Sequence, residues 1–177
     1  MHTHTQKLTL KNFTEDGVFS GYASVFNHKD QHGDVVLKGA FEKSLHNWKQ
    51  SGQLPKMLWQ HDASCPIGFW TDIYEDSYGL FVKGQLLLDI QKGSEAYCLL
   101  KTGVIDGLSI GFHLVKSSHG AHGRLIQDVD LQEISLVTFA ANEQARVRDV
   151  KHRPPLQVES WLQRLLELQG VLTNPSA

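Results

Sequence analysis

Glycines and polar turns divide this chain into many short apolar segments, and that division limits what it can fold into. Within several segments apolar and polar residues alternate, which predicts strands because successive side chains of a strand point to opposite faces. We expect strands at residues 8–13, 18–26, 56–60, 67–74, 80–88, 108–115 and, as one or two strands, 124–139. Apolar residues at helical spacing instead predict a helix at 40–49. Asp89 as a cap and Gly103 just past the end predict a second helix at 91–102.

The turn between the first two predicted strands contains Asp16-Gly17, which is a strong signal for a hairpin. Residues 67–74 and 80–88 form a second predicted hairpin, and residues 30–41 are expected to be a loop that leads into a helix. Many short strands with two or three interleaved helices favour an all-β barrel or an α+β domain over a repeated β-α-β unit.

Length and proline positions set the expected domain organisation. A chain of 177 residues can bury one hydrophobic core, and the Pro154-Pro155 pair marks the only clear break. We therefore expect one domain over residues 1–150. An amphipathic helix and a tail should follow it over residues 151–177.

Composition excludes several classes of protein. The net charge of -2 offers no long-range attraction for nucleic acid. No apolar run approaches the length of a membrane span, and no charged-then-apolar leader is visible. Cys65 and Cys98 lack the spacing of a disulfide framework or a zinc ribbon. We expect a soluble intracellular domain that needs no cofactor and binds neither nucleic acid nor membrane.

Ser109 is a candidate nucleophile because of the strand in which it lies. Alternation places Leu108, Ile110, Phe112 and Leu114 on a core face, with Ser109, Gly111 and His113 on the other. A small hydroxyl beside a residue with no side chain leaves an open shelf that a substrate carbonyl could approach. The alternative that alternation leaves open is a serine facing solvent on an ordinary strand.

A serine nucleophile needs a base, and the chain has ten histidines. His61 ends an apolar run and precedes Asp62, so it lies where a strand meets a loop, whereas most of the others lie in tails, polar loops or turns. His113 shares the face of Ser109 but is about 7 Å away along the strand. That distance suits a neighbour of the site better than a direct proton acceptor.

A third group should orient the base. Glu133 is the carboxylate most embedded in a predicted strand, and a solvent-facing strand residue is the alternative. Asp62, Asp128 and Asp130 remain open as candidates. Each could take the place of Glu133.

Two other site chemistries fit the pattern less well. A zinc site could draw on His113, His119 and His122, but their spacing matches no standard pair of ligands. A serine–lysine dyad would require a lysine beside Ser109. Lys116 is an odd number of residues away, and therefore on the opposite face of a regular strand.

Five sequence blocks together resemble the prohead (capsid maturation) proteases of tailed bacteriophages. They are GYASVF at 21–26, GDVVLKGAF at 33–41, LWQHD at 58–62, GLSIGF at 107–112, and EISLVT at 133–138 running into AAN at 140–142. Their order and separation match that family from about residue 8 to residue 147. Ala140 departs from the pattern, since the family often has proline there.

The resemblance implies a serine endopeptidase with a fold similar to herpesvirus assemblin, a mostly antiparallel β-barrel surrounded by helices. It implies His61 as the base and Ser109 as the nucleophile. Assemblins use a second histidine as the third residue, whereas the phage pattern offers a glutamate, here Glu133.

The resemblance also implies a substrate and the location where it is cleaved. The family removes the scaffolding region of the major capsid protein inside the assembling prohead, in the host cytoplasm, often with self-cleavage. The expected partners are thus the major capsid protein and other copies of the protease, including a homodimer. The alternative is a non-catalytic scaffold-associated module that docks through its C-terminal helix.

Overall fold

The computed structural model describes residues 16–121 and 123–151, and this part of the chain contains eight strands and two helices. The strands are β1 (Val18–Val25), β2 (Asp34–Val36), β3 (Lys56–Trp59), β4 (Asp62–Glu75), β5 (Gly79–Leu86), β6 (Gly107–Gly120), β7 (Gly123–Val137) and β8 (Val147–Val150). The helices are α1 (Glu42–Ser51) and α2 (Gln91–Lys101). Neither helix is long and apolar enough to cross a membrane, and these are the only helices in the described part of the chain.

Most of the predicted elements are confirmed. The two internal helices and the strands at 18–26, 56–60, 67–74, 80–88 and 108–115 all correspond to observed elements. The segment 124–139 forms the single strand β7. The predicted strand at 8–13 and the predicted C-terminal helix lie outside the described residues.

β2 lies in the segment that was expected to be a loop. It runs parallel to β7, with Asp34 opposite Arg124 and Val36 opposite Ile126. Only three residues long, it is too short to show periodicity. Its formation depends on a partner strand that lies far away in the sequence.

All eight strands belong to one mixed sheet in the order β2-β7-β3-β4-β5-β1-β8, with β6 also paired to β7. The β6–β7 hairpin occupies one edge of β7 over nearly its whole length, so β2 and β3 pair with separate stretches of the other edge. These two pairings are parallel, and the other five are antiparallel.

The fold is thus a sheet-dominated α+β fold with few helices. A closed barrel is not confirmed, because the strand pairings run from β2 to β8 without returning. A single bridge between Gly107 and Arg146 links the start of β6 to the segment before β8. A bridge of one residue pair is less than the continuous ladder that closure requires.

The second half of β7 is buried on both faces. Ile134 and Leu136 point into the hydrophobic core, while Glu133 and Ser135 point to the other face and are also buried. Buried carboxylates and hydroxyls require hydrogen-bond partners. The fold therefore places two polar groups side by side on β7, where they bond to each other and to the chain segment packed over them.

Helix α1 holds β7 in place. The Trp48 indole N–H donates to the Leu131 carbonyl at 2.7 Å, and the Leu131 N–H donates to Ser44 Oγ at 2.9 Å. Lys43 forms an ion pair with Asp128 on the same strand. The two hydrogen bonds satisfy the backbone groups of Leu131, at a point where the register of β7 with β6 is irregular.

Candidate active site

Ser109 lies on β6 opposite Ser135 of β7, and Gly111 lies opposite Glu133. The Ser109 residue is 8% exposed and borders a pocket of about 160 Å³ that is also lined by His61. Within the described residues the Ser109 hydroxyl makes no hydrogen bond. The structure therefore brings two of the three predicted site residues to one pocket and leaves the hydroxyl available.

His61 occupies a tight turn between β3 and β4. Trp59 pairs with Asp62, so Gln60 and His61 are the two residues of a hairpin turn, with φ angles of 53° and 61°. Positive φ at both central residues is typical of type I′ turns, where Asn-Gly is preferred because other side chains are strained. Such strain persists only where surrounding contacts compensate for it.

Hydrogen bonds to β7 and the residue after it hold this turn. The Gln60 N–H donates to the Leu136 carbonyl at 2.9 Å, and the His61 N–H donates to Ser135 Oγ at 3.0 Å. The Gln60 side chain donates to Thr138 Oγ1 at 2.8 Å and accepts the Thr138 N–H at 3.2 Å. The imidazole is thereby carried on a turn anchored at four points.

The His61 ring contacts Glu133, with Nδ1 and Oε1 2.6 Å apart. An ionised carboxylate can only accept hydrogen bonds, so Nδ1–H donates to Glu133 and Nε2 carries the free lone pair. Glu133 is the carboxylate that the sequence favoured as the orienting group. The pair has the arrangement required of a general base whose tautomer is set by an acid.

The hydrogen bond to Glu133 raises the pKa of His61 above its ordinary value of 6.5, and the negative charge of Glu133 adds to the effect. Burial lowers the pKa and opposes this, but does not cancel it. His61 therefore binds a proton more tightly than a free imidazole. A tighter-binding base is a better proton acceptor, provided that the pH keeps it neutral.

The other predicted candidates do not reach this arrangement. The Asp62 carboxylate accepts hydrogen bonds from the N–H and hydroxyl of Ser64, and Asp128 is paired with Lys43. His113 is exposed opposite Asp130 on the partner strand. Among the described residues, neither Asp62 nor Asp128 forms a hydrogen bond with the His61 ring.

The zinc and lysine alternatives gain no geometric support. His119 and Lys116 are exposed on the outer part of the β6–β7 hairpin, and His122 lies outside the described residues. Residues 16–121 and 123–151 contain no group of three or more His, Cys, Asp or Glu side chains able to hold a metal ion.

Alternation along β6 is correct at Leu108 and Ser109 but wrong at Leu114, which is 43% exposed. Phe112 still packs against the hydrophobic core. The core face predicted for β6 therefore ends between Phe112 and Leu114.

Sequence reasoning missed a further part of the pocket lining. His28, Asp30, His32 and Asp34 form it, all from the segment before and within β2. Asp34 accepts two hydrogen bonds from the Arg124 guanidinium, at 2.7 and 2.6 Å. The cluster of acidic residues and histidines in an otherwise polar segment was the available signal.

Ser135 was also missed. It is two residues after Glu133, so strand periodicity places both on one face. The sequence shows this spacing, but a serine within an apolar run usually has no role beyond the strand itself.

A sequence model of the caudovirus prohead serine proteases matches residues 4–157 of the chain. The chain belongs to this family. The prohead protease of Enterobacteria phage HK97 is 36% identical over 161 residues, which cover 85% of this chain and 70% of that relative. The capsid polyprotein of Pseudomonas phage PAJU2 is 33% identical over 146 residues, covering 77% of this chain but 20% of the polyprotein.

Solved structures agree with the fold of this prohead protease. The capsid assembly protease of bacteriophage T4 aligns with a TM-score of 0.55 at 10% identity, over 68% of this chain and 81% of that one. A KSHV protease aligns with a TM-score of 0.49 at 14% identity, over 87% of this chain and 75% of that one. The herpesvirus-like form of the fold stays a prediction.

The family match confirms that the prohead protease is a serine-type peptidase of capsid maturation. The alternative, a non-catalytic assembly module, is not supported by this match.

Proposed function

We propose that this prohead protease hydrolyses peptide bonds with Ser109 as nucleophile, His61 as general base and Glu133 as the residue that orients His61. The observation that carries the proposal is the 2.6 Å contact between His61 Nδ1 and Glu133 Oε1 at the edge of the pocket that Ser109 borders. A base held by a carboxylate, beside a serine with an unengaged hydroxyl, is the arrangement that acyl transfer requires.

In the proposed reaction Ser109 Oγ attacks the substrate carbonyl while His61 Nε2 accepts the hydroxyl proton. Glu133 stabilises the imidazolium through the Nδ1–H hydrogen bond. His61 then donates the proton to the amine of the leaving peptide, and the C–N bond breaks. Water attacks the acyl-enzyme with the same base, which releases the new carboxylate and restores Ser109.

The free edge of β6 offers a way to bind an extended substrate. Among the described residues, β6 beyond Gly107 pairs only with β7, so the second edge of its backbone from Ser109 onward has no partner strand. An extended peptide can add to such an edge through main-chain hydrogen bonds. Its scissile carbonyl would then lie beside Ser109 and Gly111.

The proposal also includes closure of the sheet into a barrel. Leu108 N–H donates to the Ala145 carbonyl at 2.9 Å, and Val147 N–H donates to the Asp106 carbonyl at 2.8 Å. Together with the Gly107–Arg146 bridge, these bonds favour a sheet that closes into a herpesvirus-protease-like barrel between the start of β6 and the segment before β8.

We further propose that the substrate is the scaffolding region of the major capsid protein, cleaved inside the assembling prohead. The names of the HK97 prohead protease and the PAJU2 capsid polyprotein support a capsid substrate. Self-cleavage and homodimer formation belong to the same proposal. Within the chain, residues 1–150 would carry the protease activity and residues 151–177 a separate C-terminal helix and tail.

Co-expression of the chain with its phage's major capsid protein tests the assignment. The parent should shorten the capsid protein in assembled shells, and Ser109→Ala should reduce cleavage about 10³-fold or more. Ser118→Ala, on the outer part of the same strand, is the matched control and should cleave normally. Continued cleavage by Ser109→Ala would exclude Ser109 as the nucleophile.

Chelation provides a separate test of the zinc alternative. The proposed reaction needs no metal ion, so cleavage in assembled shells treated with EDTA should proceed at the untreated rate. Loss of cleavage that added zinc restores would favour a metal site instead.

A further inference from the structure

The hydroxyl of Ser135 links the two residues that the proposed reaction needs to hold together. It donates to Glu133 Oε2 at 2.6 Å and accepts the His61 N–H at 3.0 Å. Ser135 is 0% exposed and pairs with Ser109 across β6 and β7. One buried oxygen atom thus contacts both Glu133 and the backbone of the turn that carries the imidazole.

We propose that Ser135 is a positioning residue of the prohead protease, which sets the geometry of the His61–Glu133 pair without touching the substrate. The proposal rests on the assignment of His61 and Glu133 given above. It adds a fourth residue to the three of the proposed site. Its hydroxyl hydrogen-bonds both to the Glu133 carboxylate and to the backbone of the turn that carries His61.

The Glu133 carboxylate needs a second hydrogen-bond donor because it has two oxygens and only one of them contacts His61. Oε1 accepts the Nδ1–H and Oε2 accepts the Ser135 hydroxyl, so rotation of the Glu133 carboxylate would break two hydrogen bonds at once. Only 12% of the Glu133 side chain is exposed. Water is therefore a poor replacement for Ser135, and an unsatisfied Oε2 would be costly.

The turn that carries His61 needs its hydrogen bond to Ser135 for a different reason. His61 has a φ of 61°, which is unfavourable for a residue with a side chain. Its N–H is held by Ser135 Oγ, which fixes the point from which the imidazole projects. Without that hydrogen bond, the turn could relax and carry the ring away from Glu133.

Ser44 provides a matched comparison. It is another buried serine, and its hydroxyl accepts the Leu131 N–H at 2.9 Å, so its removal also leaves a backbone group without its partner. Ser44 lies on α1 and contacts neither His61 nor Glu133. A purely structural role for Ser135 would make Ser44→Ala and Ser135→Ala behave alike.

The experiment measures how fast a fluorophosphonate probe labels the intact protease. The probe phosphonylates an activated serine: an O–P bond forms, the P–F bond breaks to release fluoride, and the base accepts the hydroxyl proton. The rate of labelling therefore reports base assistance without a peptide substrate. Ser135→Ala should slow labelling about 10- to 100-fold. Ser44→Ala should lower thermal stability but label at the parent rate, and Ser135→Thr, which keeps the hydroxyl, should recover most of the rate.

Proton NMR provides a readout that does not depend on whether the threonine fits the buried site. The hydrogen-bonded Nδ1–H of His61 should give a downfield resonance in the parent and in Ser44→Ala. In Ser135→Ala it should broaden or disappear. A resonance that persists unchanged in Ser135→Ala, with labelling at the parent rate, would overturn the positioning role.

The Ser109→Ala variant distinguishes a failure of the Ser135 proposal from a failure of the nucleophile assignment on which it rests. If Ser109→Ala is not labelled while Ser135→Ala labels like the parent, Ser109 remains the nucleophile and only the role of Ser135 is lost. If Ser109→Ala is labelled normally, the assignment of the nucleophile itself is wrong.

Discussion

Gly111 and Glu133 face each other across β6 and β7 so closely that a Cβ atom on residue 111 would lie 2.2 Å from Glu133 Oε1. That oxygen is the one that accepts the His61 Nδ1–H. A Gly111→Ala change must therefore displace the carboxylate from the base. We expect cleavage of the capsid protein to fall about 10²-fold, as for a misplaced catalytic group, while the protein stays folded.

Gly120→Ala is the control for that change. It lies on the same hairpin, and its added Cβ would meet only the flexible end of Leu125, at 3.0 Å. Cleavage by this variant should match the parent. Normal cleavage by Gly111→Ala as well would mean that Glu133 does not need its observed position.

Replacing Glu133 by glutamine should change both the rate and its dependence on pH. Glu133 raises the pKa of His61, and burial alone would lower it. Only the neutral imidazole accepts a proton, so activity rises as the pH increases through the His61 pKa. In Glu133→Gln the acidic limb of the profile should move to lower pH, and the maximal rate should drop about 10²-fold or more.

The labelling rate of Ser109 by a fluorophosphonate across the pH range gives this profile directly. Asp62→Asn is the matched control, because Asp62 adjoins His61 in sequence but is bonded to Ser64. Its profile should coincide with that of the parent. A shift in Asp62→Asn with none in Glu133→Gln would transfer the orienting role to Asp62.

Gln60 should stabilise the strained turn through its side chain. Gln60→Ala removes both contacts with Thr138 but keeps a side chain at a φ of 53°. Gln60→Gly removes the same contacts and also the strain, since glycine adopts positive φ freely. In urea denaturation, the free energy of unfolding should be about 1 kcal/mol higher for the glycine variant than for the alanine variant.

Both Gln60 variants should cleave more slowly than the parent, because each loosens the turn that carries His61. Gln53→Ala, at an exposed glutamine before β3, should change neither stability nor rate. Equal stability of the two Gln60 variants would show that the turn bears no strain.

The Asp34–Arg124 ion pair should stabilise the pocket wall and β2. Arg124→Lys keeps the charge but cannot make two parallel hydrogen bonds to Asp34, whose side chain is 9% exposed. We expect a lower midpoint of urea denaturation, and a larger decrease in Arg124→Ala. Lys92→Ala, which breaks an exposed pair with Glu95, should shift the midpoint much less.

An activity measurement separates the two roles of this ion pair. Because Asp34 lines the pocket that contains Ser109, Arg124→Lys should also raise KM for a peptide spanning the cleavage site. An unchanged KM with a lowered midpoint would restrict the pair to a structural role.

Local patterns in the sequence singled out Ser109 and His61 as candidates and predicted most of the strands that the structure shows. Ser109 precedes a glycine by two positions on a regular strand, and His61 ends an apolar run, so neighbouring residues carry both signals. Helix α1 was predictable from apolar residues three and four apart, and helix α2 from the capping positions of Asp89 and Gly103, so both signals are local. Such information is present wherever the structure depends on short stretches of chain.

The sequence favoured Glu133 but left Asp62, Asp128 and Asp130 open, and only the tertiary structure shows which carboxylate contacts the His61 ring. Parallel pairing of β3 with β7 sets Lys56 opposite Glu133 and Trp59 opposite Leu136, and this register brings the His61 turn back over Glu133 and Ser135. His61 and Glu133, which meet in this register, are 72 residues apart in the sequence, so their contact depends on long-range strand pairing. No local propensity encodes that choice, because it is settled by the packing of the whole sheet. The sequence by itself therefore determined the nucleophile and base as candidates, and the folded sheet determined their partners.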